Sequence, residues 1–227
     1  MSFAINSKRF AASVFTPVAS TFVGVSNIGP GASGGHVNFT WPTGTAAGDI
    51  VFVMVCGSNN PAVYGIGMSG VWSYFDMLSN QNHIARVFYK VLDATNISET
   101  PYVSRPGPGG YIVGYVATYR GGTNVVVRSA ANDAANNSVT VNTSGFAKDY
   151  TESAIISLAC WSIPGSTGPT ITPPSGFGGH TNFTDTTLTG DGFGVADKLS
   201  SYAGGTISWT EAVAGSIGMA VQNVEIY

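Results

Sequence analysis

Charged side chains are scarce in this chain. Lys and Arg number nine and Asp and Glu twelve, so 9 % of its 227 residues carry charge, against about 25 % in an average globular protein. The basic residues stand singly except for Lys8-Arg9, and net charge is −3. Those values exclude a surface that holds nucleic acid by phosphate neutralisation. Leucine is equally rare, with five copies, while glycine reaches 30 and proline 11. Val, Thr, Ser, Asn and Gly fill the places of strong helix formers, which excludes a helix bundle, a coiled coil and an α/β enzyme fold. Two cysteines are too few for a disulfide scaffold. Cys56 and Cys160 each close an apolar run, so they are expected as buried core thiols. The three histidines, His36, His83 and His180, lie in different segments without metal-ligand spacing, so no metal or other cofactor is expected. No apolar run approaches the roughly 18 residues of a membrane span, so no membrane insertion is expected. MSFAINSKRF lacks a following apolar core, and no signal peptide is expected.

Apolar residues nevertheless make up 44 % of the chain, far too many for disorder. They come in short runs between Gly, Pro, Asn and Ser clusters, which is the all-β pattern. The clearest runs span 48–56, 85–93, 109–119, 123–129, 137–143, 153–161, 192–199, 205–211 and 216–227. In several, both alternating faces are apolar. Tyr111, Tyr115 and Tyr119 share one face of their run, with Ile112 and Val116 on the other. A strand apolar on both faces needs two covers.

The chain also repeats itself. GDIVFVMVC (48–56) is matched by SAIISLACW (153–161), with both cysteines in register. GMSGVWSYF (67–75) is echoed by TPPSGFGGH (172–180), which sets Gly70 against Gly176. RVFYKVLDA (86–94) answers GVADKLSSY (194–202), with Lys90 against Lys198. TPYVSR and YIVGYVATYRG answer TISWTE and SIGMAVQNVEI, all in the same order at offsets of 104–108. The expected fold is therefore all-β: a single, jelly-roll-like β-sandwich built from two pseudo-repeats of about 105 residues. The expected layout is an N-terminal arm and first strand or strands over 1–43, then a sandwich over 44–227 with repeats at about 44–131 and 138–227.

Motifs with chemical meaning fail in context. GASGG (31–35) has the Gly-x-Ser-x-Gly spacing, with Ser33 as nucleophile, but HVNFTWP follows and no helix can start there. GIGMSG (65–70) has the dinucleotide spacing, yet aromatic strand-like sequence follows it instead of a helix. Asp185, Asp191 and Asp197 are spaced too widely for a calcium loop. No catalytic residue is nominated, and no enzyme is expected. Trp161 and Trp209 sit inside strand patterns and are read as core. Trp72, Tyr74 and Phe75, in a Gly-rich stretch, are the candidates for glycan or partner contact.

TAAGDIVFVMV (45–55), ARVFYKVLDA (85–94), YIVGYVATYRG (111–121), SAIISLA (153–159), TPPSGF (172–177) and GVADKLSS (194–201) together resemble the β-sandwich modules of bacteriophage virion proteins of the tail-fibre, minor-tail and head-decoration types. The likeness spans about 44–227. Its turn motif departs from the usual Trp, with Phe177 in that place. The resemblance implies a structural component on the outside of a virion, made in the host cytoplasm and acting through other virion proteins. It carries over no catalytic residues. The alternative is a glycan-binding, receptor-reading module of a tail fibre, with a cell-surface glycan as partner. A homotrimer is expected by analogy, with Tyr111, Tyr115 and Tyr119 as its subunit interface.

Overall fold

A computed structural model describes residues 19–31, 35–56, 65–78, 84–104, 112–132, 140–162, 171–184, 192–211 and 218–227. The first strands are β1 (Thr21–Gly31), β2 (His36–Asn38), β3 (Ile50–Cys56), β4 (Gly65–Gly67), β5 (Ser73–Leu78) and β6 (Ile84–Val91). A short helix α1 (Ala94–Ser98) precedes β7 (Tyr102–Ser104), β8 (Ile112–Arg120), β9 (Val125–Asn132), β10 (Thr140–Thr143) and β11 (Ala154–Ser162). The remaining strands are β12 (Ile171–Thr172), β13 (Gly178–Thr184), β14 (Gly192–Lys198), β15 (Ile207–Glu211) and β16 (Gly218–Ile226). The fold is an all-β sandwich, as the sequence leads one to expect.

Sheet order reveals the duplication directly. One five-stranded sheet runs β1-β8-β3-β6-β5, and the other, read from its far edge, runs β9-β16-β11-β14-β13. Two three-stranded sheets, β2-β7-β4 and β10-β15-β12, obey the same correspondence. Among the described residues each unit therefore has eight strands in two sheets. β1 and β2, before residue 44, belong to the first unit, and β9 joins the sheet of the second. The Asn-rich link between the repeats falls at 133–139, outside the described residues.

The two five-stranded sheets pack face to face, and each carries its small sheet on its outer side. Strand alternation explains why both faces of the central strands are apolar. In β3, Ile50, Phe52, Met54 and Cys56 face the core between the large sheets, while Val53 and Val55 face the core under the small sheet with Ile28, Phe39 and Val103. In β11, Ala154, Ile156, Leu158 and Cys160 face the central core. Ala159 and Trp161 face the second unit's outer core with Trp209 and Val141. The large sheets meet in opposite order: β8 faces β14, and β5 faces β16. Cys56 and Cys160 are buried thiols in the same central core, not joined in a disulfide.

Close packing decides one residue choice plainly. At Gly194 of β14 a Cβ would come within 2.7 Å of the Trp209 ring and 3.3 Å of Trp161. Only glycine lets the small sheet seat Trp209 this deeply, and there Nε1 of the indole donates to Ser157 Oγ at 2.8 Å.

Candidate functional site

The repeated Gly-turn and the repeated lysine meet in space. Lys90 Nζ donates to Ser69 O at 3.1 Å, beside Gly70 (φ 85°). Lys198 Nζ donates to Gly176 O at 2.9 Å, and Gly176 has φ 76°. In each unit a strand lysine clamps a turn that needs glycine's left-handed backbone. In the first unit Lys90 also donates to Asn96 Oδ1 at 2.6 Å, and Asn96 is fully buried. These lysines hold loops in place.

The three nominated aromatics do not form one platform. Trp72 is half-buried against the first unit's outer core, with the Lys90 ammonium 5.9 Å from its ring. Tyr74 is 56 % exposed and lies under the Arg86 guanidinium at 4.2 Å. Phe75 packs on the central core, its ring 6.0 Å from that of Tyr89. The reason is the period of two: Tyr74 and Phe75 are neighbours on β5, so the pleat sends them to opposite faces.

The subunit-interface reading of the tyrosine face requires correction. Tyr115 and Tyr119 are 1 % and 0 % exposed within a single chain, because the second unit covers them; Tyr111 lies outside the described residues. The second cover that an all-apolar strand demands is the chain's own other half. Tyr119 packs edge-on to Phe22 at 5.6 Å and to Phe52 at 6.2 Å. Burial first, and the negative charge of Asp197 second, push its phenol pKa well above the ordinary value of 10.0.

Beside it lies a joint between the units that no motif announces. His180 of β13 bonds the buried Asp197 carboxylate of β14 through Nε2. The imidazole stacks on Phe22 of β1 at 3.6 Å with the rings 10° apart. A second buried carboxylate, Glu225 of β16, is fully enclosed. It accepts from Arg128 Nε at 2.9 Å, from Asp149 N at 2.9 Å and from Ser153 Oγ, and Arg128 also pairs with Asp149 at 2.6 Å. Among the described residues no three His, Cys, Asp or Glu side chains are placed to hold a metal ion.

Two concavities are lined by described residues. One, of about 240 Å³, opens between the large sheets and is lined by Asp76, Met77, Ala130, Ala131, Ala220, Val221 and Gln222. It occupies the edge opposite the Phe22–His180 stack. The other, of about 540 Å³, is a cleft of mixed polar and apolar lining at one end of the second unit, between the segment that enters β11 and the segment that leaves β14. Tyr150, Tyr202, Lys148, Asp149, Glu152, Ser200 and Ser201 are among its lining residues.

The duplicated plan shows why this end is open. In the first unit the corresponding segments close on each other: Gly48 N donates to Leu92 O and Leu92 N to Asp49 O, both at 2.8 Å. Trp41 Nε1 then reaches Asn96 O of α1 at 3.2 Å. That helix starts at the Asp93 N-cap, whose carboxylate accepts from Asn96 N at 2.9 Å while Asn96 Oδ1 accepts from Asp93 N at 3.3 Å. In the second unit the repeat places Ser201 where Asp93 stands, and Tyr202-Ala203-Gly204-Gly205 follows. Two glycines oppose a helix. Ser201 takes φ 53°, Gly204 92° and Gly205 107°, and the β11–β14 ladder stops at Ile155–Lys198, one pair short of its counterpart Ile50–Val91. In the second unit Tyr202 packs instead on Phe146 at 5.2 Å, and the cleft opens between the two segments. Sequence reading missed it, although the lost N-cap and the added glycines were visible in the repeat. The chain matches no family model, no characterised protein and no solved structure.

Proposed function

We propose that this chain is a structural component on the exterior of a bacteriophage particle, acting through contacts with other virion proteins. One observation carries the reading: two eight-stranded units are fused through their large sheets into a four-layer body whose apolar sheet faces are covered within the chain. Such a body is a stiff spacer, with short uncharged side chains over much of its surface. The resemblance in sequence to virion sandwich modules points the same way. Assembly contacts then belong on the exterior, where Val71, Tyr74, Tyr102 and Val127 remain exposed. The homotrimer expected by analogy would form through these side chains and the sheet edges, since Tyr115 and Tyr119 are unavailable.

Gradient-purified particles from the source culture, analysed by peptide mass spectrometry and by electron microscopy with a gold-labelled antibody to this chain, test the proposal. Copurification with gold on the particle surface is the expected result. A chain abundant in the lysate but missing from every particle fraction refutes it.

A further inference from the structure

We infer that the cleft of the second unit is a binding site for a neutral saccharide. The inference does not depend on the virion reading. One sequence plan is folded twice: at this end the first copy carries α1 and the Gly48–Leu92–Asp49 backbone bonds, and the second carries the cleft. At about 540 Å³ the opening lies within the roughly 300–1,000 Å³ of small-molecule sites.

The lining selects the ligand class. Tyr150 and Tyr202 bring aromatic rings to the walls, and the Tyr202 ring is held by its hydroxyl bond to Gly205 O at 2.7 Å and by Phe146 at 5.2 Å. Fixed rings offer apolar faces to the C–H side of a sugar at little entropic cost. Lys148, the one cation among the lining residues, has its ammonium committed to Thr151 O and Ser153 O, both at 2.6 Å. Asp149 is committed to Arg128. What remains for a ligand is the exposed Glu152 carboxylate, the hydroxyls of Ser200 and Ser201, and backbone groups. An acid would meet Glu152 beside an ammonium whose hydrogen bonds already go to two carbonyls. A polyol with C–H faces meets rings, acceptors and donors together.

Saturation-transfer NMR on the whole chain, with glucose, galactose, mannose and N-acetylglucosamine each at millimolar concentration, tests this; sialic acid and choline serve as the anionic and cationic arms. At least one neutral sugar should bind. Ala203→Trp, which fills the opening from an exposed position, and Glu152→Gln, which removes one charge-assisted acceptor, should each weaken binding about tenfold or more. Ser73→Ala, at an exposed position of the first unit, should leave it unchanged. If Ala203→Trp does not fold, Glu152→Gln alone decides. No neutral sugar bound, binding of only sialic acid or choline, or sugar binding that survives both cleft variants overturns the inference.

Discussion

Replacing Glu225 by Gln removes one negative charge from a fully enclosed site and keeps the side chain's shape. The carboxylate accepts from Arg128, Ser153 Oγ and the backbone N–H groups of Asp149 and Tyr150. It thereby ties β9, β16 and the segment entering β11. A glutamine offers one acceptor oxygen and turns an amide N–H₂ toward donors, so about half of those bonds lose their acceptor. Removing one partner of a buried ion pair costs about 3–5 kcal/mol. Arg128 keeps Asp149 at 2.6 Å, a side chain 49 % exposed, which recovers part of that. The expected loss is therefore near the low end, about 3 kcal/mol. For a chain of this length that lowers Tm by about 6–12 °C. Urea unfolding followed by circular dichroism, together with calorimetry, measures both quantities. A loss under about 1 kcal/mol would mean that the carboxylate is solvated in the native protein and that the reasoning is wrong.

Tyr119 stays protonated in the folded chain while an unfolded tyrosine ionises near pH 10.0. Unfolding therefore releases a proton above that pH. The corresponding stability is complete below pH 10 and falls by up to about 1.4 kcal/mol per pH unit above it; Tyr119→Phe should flatten that fall, and an unchanged slope would count against the burial. Gly70→Ala should destabilise by about 1–2 kcal/mol through its left-handed backbone, and more than Gly176→Ala, because its Cβ would sit 2.5 Å from Lys90 Nζ against 3.3 Å from Lys198 Nζ; equal melting shifts would refute the difference. Trp209→Ala should cost about 3–5 kcal/mol, and a smaller loss in urea unfolding would show that the second outer core collapses around the gap. Thiol labelling of the native protein should modify neither Cys56 nor Cys160, and both should react once urea unfolds it without reductant; adducts on the native chain would place them outside the core.

Much of the fold was legible in one dimension because strand pairing leaves a local mark. Alternating apolar residues bounded by Gly, Pro and Asn marked nine of the strands, among them Ile50–Cys56 and Ala154–Ser162. The repeat was legible because Lys90 and Lys198, Gly70 and Gly176, and Cys56 and Cys160 do the same work in both copies. β2, β4 and β12 escaped notice because two or three residues are too few to show a period, and β7 showed only through the repeat, as TPYVSR against TISWTE. β5 showed only as strand-like aromatic sequence after a Gly-rich turn, without bounds, because apolar residues on both faces of Ser73–Leu78 hide the period of two.

The sequence by itself determined that the chain is all-β, duplicated and poor in charge, and that its central strands need a cover on both faces. Each of those properties is a property of neighbours along the chain or of composition. Which surface supplies the cover was decided by the tertiary structure alone. Tyr115 and Tyr119 would carry the same alternation beneath a neighbouring subunit as beneath their own second unit. The His180–Asp197 bond, the enclosure of Glu225 and the open cleft beside Tyr150 and Tyr202 were decided in the same way. They depend on how two copies of one pattern meet and where those copies differ, and residues 17 to 97 positions apart settle that only when the sheets have packed.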